Sequence, residues 1–117
     1  MANYGTNSVT PAGGFPATIA ASGNWKSGAL SSTWGALAAA VTSSQAGALT
    51  IQRYADAGLI IPIGALISAT LVANTPNYVS VADGVPFLYF QVEITNTGGS
   101  TANITGAAIL TGIGNAG

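Results

Sequence analysis

The sequence predicts a mostly β protein: an antiparallel β-sandwich of the jelly-roll or immunoglobulin-like type, with an extended N-terminal arm. Three observations indicate this fold. Apolar and polar residues alternate in short runs after residue 47, and clusters of Gly, Pro, Asn and Asp separate these runs. The first 47 residues, in contrast, are rich in Ala, Gly, Ser and Thr. We therefore expect an arm over residues 1–47, a sandwich domain over residues 48–113 and a flexible tail over residues 114–117.

The arm carries few large side chains, which are too widely spaced to close a core of their own. Four aromatic residues are predicted to anchor the arm at an interface: Tyr4, Phe15, Trp25 and Trp34. The two tryptophans either fold back on the sandwich or insert into a partner, and a partner is favoured because Trp is a common interface anchor. Thr33 is a candidate N-cap for a short helix, and a strand over residues 36–42 is the alternative.

The first part of the predicted sandwich contains two strand signals. Residues 49–54 alternate with the two-residue period of a strand, which places Arg53 on the same face as Leu49. Residues 59–63 predict a short apolar strand, and Pro62 confines it to a sheet edge or a bulge.

Three further signals follow along the chain. Residues 66–73 alternate as a strand, and the Asn-Thr-Pro-Asn segment at residues 74–77 predicts a turn. A short strand is predicted over residues 78–81, followed by a turn at Ala82-Asp83-Gly84.

The clearest strand runs from Phe87 to Thr95. Its core-facing residues are predicted to be Leu88, Phe90, Val92 and Ile94. Gln91 and Glu93 are predicted to face away, because successive side chains of a strand point to opposite faces. The glycine-rich segment at residues 96–100 predicts a hairpin turn, and short strands are expected at residues 102–104 and 107–110.

The composition argues against an enzyme. The chain has no Cys and no His, so thiolate and imidazole chemistry are excluded, and zinc, haem and iron–sulfur sites lose their usual ligands. The three acids, Asp56, Asp83 and Glu93, form no evident acid–base pair, and Asp83 has a structural role available in its turn. Arg53 and Glu93 are a candidate cross-strand pair, although two solvated side chains are favoured. We expect no catalytic residue, no metal and no cofactor.

The charge content points to protein partners. Charged residues make up 4% of the chain, against about 25% in ordinary soluble domains. Two cations cannot supply a nucleic-acid surface, so no nucleic-acid partner is expected. The uncharged stretch between Asp56 and Asp83 is interrupted by Pro, Gly, Ser and Thr, so no membrane span is expected, and the N-terminus has no secretory signal pattern. A surface so short of charge is expected to be covered in an assembly.

Two segments carry a resemblance. Ala-Leu-Thr-Ile-Gln-Arg-Tyr and the following Pro-Ile-Gly bend, within residues 48–71, resemble the start of small β domains of tailed-phage virion proteins. Residues 90–105 resemble the last hairpin of bacterial and phage immunoglobulin-like sandwiches. The resemblance implies a structural role and no catalytic residues.

The resulting hypothesis is a capsid-decoration or cement protein of a tailed bacteriophage. It would be assembled in the host cytoplasm, located in the virion and bound to the major capsid protein or other virion subunits, with homo-oligomers expected. The alternatives are a tail-fibre or receptor-binding module and a pilus or surface-layer subunit.

Overall fold

The computed structural model describes residues 6–32 and 35–112, and this part of the chain is all β, with no helix. Ten strands form two antiparallel sheets that pack together, which confirms the mostly β class and the sandwich. In chain order the strands are β1 (Thr6–Val9), β2 (Thr18–Ile19), β3 (Asn24–Lys26), β4 (Leu30–Ser31), β5 (Ala36–Ser43), β6 (Gly47–Tyr54), β7 (Pro62–Leu71), β8 (Pro76–Val81), β9 (Tyr89–Asn96) and β10 (Ala102–Gly112).

The strand order is nested. The first sheet has the order β1-β10-β5-β8, and β2 also pairs with β10; the second has the order β3-β9-β6-β7, and β4 also pairs with β9. β1 and β2 both pair with β10, and β3 and β4 both pair with β9, so each of these two pairs counts as one pass of the chain along its neighbour. Counted in this way, the described chain makes eight passes. The first pass pairs with the eighth, the second with the seventh, the third with the sixth and the fourth with the fifth.

The core lies between the sheets and takes every second residue from their strands. The largest fully buried side chains are Phe90, Leu49, Ile51, Leu71, Ile94, Ile109 and Val92. This pattern follows from the two-residue period of a strand, which sends alternate side chains into the core. The predicted register is confirmed for Leu49, Phe90, Val92 and Ile94. It is wrong for Leu88, which precedes the first residue of β9 and is exposed.

The extended arm over residues 1–47 is not confirmed, and the structure corrects the view that this segment lacks a core. β5 pairs with β10 on one side and β8 on the other, and its Leu37, Ala39 and Val41 are buried. Residues 36–43 therefore form a strand and not a helix. Sparse apolar residues suffice here, because a strand with one buried face needs only alternate positions to be apolar.

Two local predictions are also wrong. β7 begins at Pro62, so residues 59–61 belong to a loop and not to a strand, although Pro62 does lie on an edge strand. Residues 97–101 do not close a hairpin, because β9 and β10 belong to different sheets. The predicted strands at residues 102–104 and 107–110 are parts of β10, which has a register shift between Ile104 and Gly106.

Candidate interaction surface

Apolar side chains project from two loops at one end of the sandwich. The first loop, residues 55–61, joins β6 to β7, and the second, residues 82–88, joins β8 to β9. Ile60 and Leu88 are 78% and 62% exposed, and Ile61 and Val85 are also exposed. These four residues, Ile60, Ile61, Val85 and Leu88, are called the loop patch below. Large apolar residues clustered in this way are characteristic of interaction sites.

The first loop is held by a carboxylate. The backbone N–H groups of Ile60 and Ile61 donate to the Asp56 side chain, at 3.0 Å and 2.8 Å from Oδ1. Between them and Asp56, Leu59 adopts a φ of 57°. A non-glycine residue in this left-handed region costs of order 1–3 kcal/mol, and it persists only where the surrounding structure holds it. The two isoleucines are thus presented by a fixed backbone.

The second loop is held by an ion pair. The Arg53 guanidinium at the end of β6 donates to both Asp83 carboxylate oxygens, at 2.6 Å and 2.9 Å. The same carboxylate accepts the Val85 N–H at 3.1 Å. The Arg53 hydrogen bonds, followed by the Val85 hydrogen bond, lower the pKa of Asp83 to about 2. The carboxylate therefore stays charged down to strongly acidic pH.

Arg53 is also buried at this end of the sandwich. The residue is 3% exposed, and its Cζ lies 5.8 Å from the centre of the Phe87 ring. Phe87 in turn packs edge-on against Phe90, with ring centres 6.4 Å apart. An aromatic face attracts a cation, so the Phe87 ring stabilises the same guanidinium charge that Asp83 neutralises. The favoured prediction of a solvated Arg53 is wrong, and so is its pairing with Glu93, which instead accepts a hydrogen bond from the Asn24 amide.

The two loops meet on either side of the end of β6. The Leu88 N–H donates to the Tyr54 carbonyl at 3.1 Å, and the Ala55 N–H donates to the Ile61 carbonyl at 2.9 Å. Since neighbouring strands lie about 4.8 Å apart, Ile61 and Leu88 are separated by roughly two strand spacings. The loop patch therefore lies at one end of the molecule, on two carboxylate-braced loops that flank β6.

Two of the four sequence-predicted anchors lie among the described residues, and neither belongs to the loop patch. Phe15 and Trp25 contact each other with tilted rings whose centres are 5.9 Å apart, and both pack against the core of the sandwich. They fold back on their own domain, which is the alternative to a partner contact. Tyr4 and Trp34 lie outside the described residues, and their anchoring role stays a prediction.

The loop patch is not evident from periodicity, because the run Leu-Ile-Ile-Pro-Ile predicts a strand. A contrary signal was present. Asp56, Gly58 and Pro62 are turn-forming residues within seven positions, which favours a loop. The exposure of Leu88 had no such signal, because its alternation with Phe90 and Val92 continues the pattern of the core face.

The acidic side chains of the described residues lie apart from one another. No group of three or more His, Cys, Asp or Glu side chains lies close enough to hold a metal ion in residues 6–32 and 35–112. Asp56 and Asp83 bind backbone N–H groups in two different loops, and Glu93 lies on β9 beside Asn24. These contacts hold two loops and a strand pair in place.

No helix among the described residues is long and apolar enough to cross a lipid bilayer. Comparisons with protein-family models, with curated proteins and with solved structures find no match.

Proposed function

We propose that this chain is a structural virion protein that binds and stabilises a tailed-phage capsid, as a decoration or cement subunit. The observation that carries the proposal is the loop patch: four exposed apolar side chains on two braced loops, in a chain with five charged residues. A braced apolar surface favours a protein partner, because rigid presentation lowers the ordering cost of binding. The partner is the major capsid protein or another virion subunit.

The nested strand order supports a more specific fold, the jelly roll. Pairing the first pass with the last and each inner pass with its counterpart describes a long antiparallel hairpin rolled into two sheets. Jelly rolls of eight strands occur in viral capsid and lectin domains. Because one fold serves many functions, the strand order supports the virion hypothesis only together with the loop patch.

Energetics favour binding at many repeated sites. Full burial of one large apolar side chain contributes roughly 1.5–3 kcal/mol, so four would contribute about 6–12 kcal/mol at most. Association itself costs an estimated 4–15 kcal/mol. A single contact through the loop patch is therefore weak, whereas several subunits linked on a repeating shell would gain tight attachment through multivalency.

The charge distribution favours protein over an anionic membrane. Lys26 and Arg53 are the only cations in the chain, and the Arg53 charge is neutralised by Asp83. Asp56 adds negative charge beside Ile60 and Ile61. Membrane-surface binding relies on clusters of Lys and Arg, which this surface does not offer.

The experiment measures retention of the subunit on native particles. The variant Ile60→Ser/Leu88→Ser removes the centre of the loop patch. Tyr78→Ser, an equally exposed position on β8, is the control. We expect the double variant to lose about 30-fold or more in affinity, the size of an interface hot spot, and the control to bind as wild type. Particles that carry the wild-type subunit should withstand higher temperature than particles without it.

Two outcomes would contradict the proposal. Equal retention of the double variant and the wild type would remove the loop patch from the interface. Retention with no gain in the heat resistance of the particle would favour the receptor-binding alternative over the cement role.

A further inference from the structure

The outer edge of β7 is open. β7 pairs with β6 on one side and ends the second sheet on the other, so no described strand pairs with its free edge. Natural proteins protect such edges with Lys, Pro, bulges or short strands, because unpaired N–H and C=O groups attract further strands. Whether β7 carries these protections determines whether its edge can pair with another strand.

The first half of β7 is protected. The strand begins at Pro62, and Gly64 has a φ of 75°. Because Ile51 pairs with Ile67 and Arg53 pairs with Ile63, Gln52 alone lies opposite residues 64–66, which form a bulge. The Gln52 amide braces this bulge by donating to the Gly64 carbonyl at 3.2 Å. Bulges of this kind interrupt the pairing of an edge with another strand.

The second half of β7 has no such protection. Residues 67–71, Ile-Ser-Ala-Thr-Leu, contain no Pro, no Gly and no charge, and they stay in regular register with β6. Ser68 and Thr70 face away from the core, whereas Leu71 is buried. Leu66 and Val72, just outside this segment, are both 56% exposed. The open edge is thus a regular five-residue template with an apolar residue exposed at each end.

This segment is complementary to itself. In an antiparallel pair centred on Ala69, Ile67 lies opposite Leu71 of a second copy, and Ser68 lies opposite Thr70 of that copy. The same register brings Leu66 opposite Val72 of the second copy, so the two exposed apolar residues meet. Every pair matches like with like: apolar with apolar and hydroxyl with hydroxyl. Such cross-strand pairs are the unit of sheet stabilisation.

We propose that two copies of this chain pair through residues 67–71 of β7, about a two-fold axis at Ala69. The two β7 strands join the second sheet of one copy to the second sheet of the other, which makes one continuous sheet. A two-fold interface uses the same patch on both copies, which fits the self-complementary register. This pairing is a property of the free protein and does not depend on the capsid role proposed above.

The size of the interface sets its strength. Five residues at about 3.4 Å each give a ladder roughly 17 Å long. A standard stable interface buries about 800 Å² on each partner, which a single strand pair of this length does not reach. The dimer is therefore weak and concentration-dependent, and crowding of subunits on a surface would favour it by mass action.

The test is sedimentation of the full chain over a concentration series. The variant Ser68→Lys/Thr70→Lys sets introduced lysines opposite each other across the axis. We expect its dimer dissociation constant to rise at least about tenfold, because like charges placed opposite each other in an interface are strongly unfavourable. The variant Ser68→Lys/Thr70→Glu sets each lysine opposite a glutamate, so it should dimerise at least as well as the wild type. Ser100→Lys/Thr101→Lys, in the exposed 97–101 segment, adds the same charge elsewhere and should leave the dimer unchanged.

Each contrary result has a clear meaning. A wild-type protein that stays monomeric throughout the series, or a double-lysine variant that dimerises as the wild type does, would overturn the proposal. Equal dissociation of the Lys/Glu and Lys/Lys variants would overturn the register centred on Ala69. Melting curves of the variants establish that they fold, and particle retention is measured separately, so failure of the dimer does not count against the capsid role.

Discussion

Arg53 is a charged residue that is buried in the sandwich, on the same face of β6 as Leu49 and Ile51. Its alternation with Leu49 predicted this shared face, whereas the favoured prediction of a solvated side chain is wrong. The conflict is resolved by Asp83, thirty positions along the chain, which binds the guanidinium through two hydrogen bonds. Pairing across such a distance has no local signal, so sequence periodicity gave the position of Arg53 and not its partner.

The same ion pair predicts how stability depends on pH. The pKa of Asp83 is lowered from 3.8 to about 2 in the folded chain, so the folded state favours the charged carboxylate. Its contribution to the free energy of unfolding is complete above the unfolded value near pH 4, and it is lost as the pH falls through about 2. The measurement is urea unfolding of the wild type and Asp83→Asn between pH 7 and pH 1.5. The gap between the two proteins should be constant above pH 5 and should shrink below pH 4; a gap that does not change with pH would contradict the assignment.

At the scale of elements, strands were predictable and their partners were not. β9 was predicted within two residues at its N-terminal end, because its alternation is continuous, and β8 was predicted from its turns. The segment after β9 carries Asn and Gly, which favour a turn of any kind. Turn chemistry does not state which sheet the next strand joins, and here the next strand crosses to the other sheet.

Asn96 explains how that crossing is stabilised. Its buried side-chain amide donates to the carbonyls of Ile19, Ala20 and Ser100, and its Oδ1 accepts the N–H of Gly98. One side chain therefore ties the end of β9 to the end of β2 and to the crossing segment itself. The contacts with Ile19 and Ala20 join parts of the chain that are 77 and 76 positions apart, so local sequence patterns could not predict them.

The register of β9 is tested by two neighbouring substitutions. Phe90 is fully buried and Gln91 lies on the opposite, outer face. Phe90→Ala should lower the free energy of unfolding by about 3–5 kcal/mol, because it leaves a cavity in a close-packed core. Gln91→Ala, the matched control one position along, should change it by no more than about 0.5 kcal/mol. Similar effects of both substitutions in denaturant unfolding would show that the register is wrong.

At the scale of the whole molecule, the surface carries too little charge for electrostatics to identify a binding partner. The chain exposes 6073 Å² of surface and carries five charged residues, of which Arg53 is buried. Composition therefore indicated protein partners in general. It could not locate the loop patch, because the positions of Ile60 and Leu88 depend on loops that Asp56 and Asp83 hold.

Trypsin tests whether the N-terminal segment belongs to the sandwich. Lys26 and Arg53 are the only residues after which trypsin cleaves; the first lies in β3, paired with β9, and the second is buried. The native protein should resist cleavage at both sites, since a protease requires locally unfolded chain. In urea above the unfolding midpoint both bonds should be cut. Rapid cleavage after Lys26 in the native protein would restore the view of a detachable arm.

The nested strand order also governs how the chain can acquire its structure. β1 and β2 pair only with β10, the last described strand, so the N-terminal edge of the first sheet forms only after β10 has been synthesised. Contacts between residues so far apart in sequence slow folding to milliseconds or seconds, as is usual for sandwiches. During that interval β1 and β2, which carry no charged residue, are unpaired. Newly made chains can therefore associate with one another through these strands until β10 pairs with them, so a low protein concentration favours correct folding.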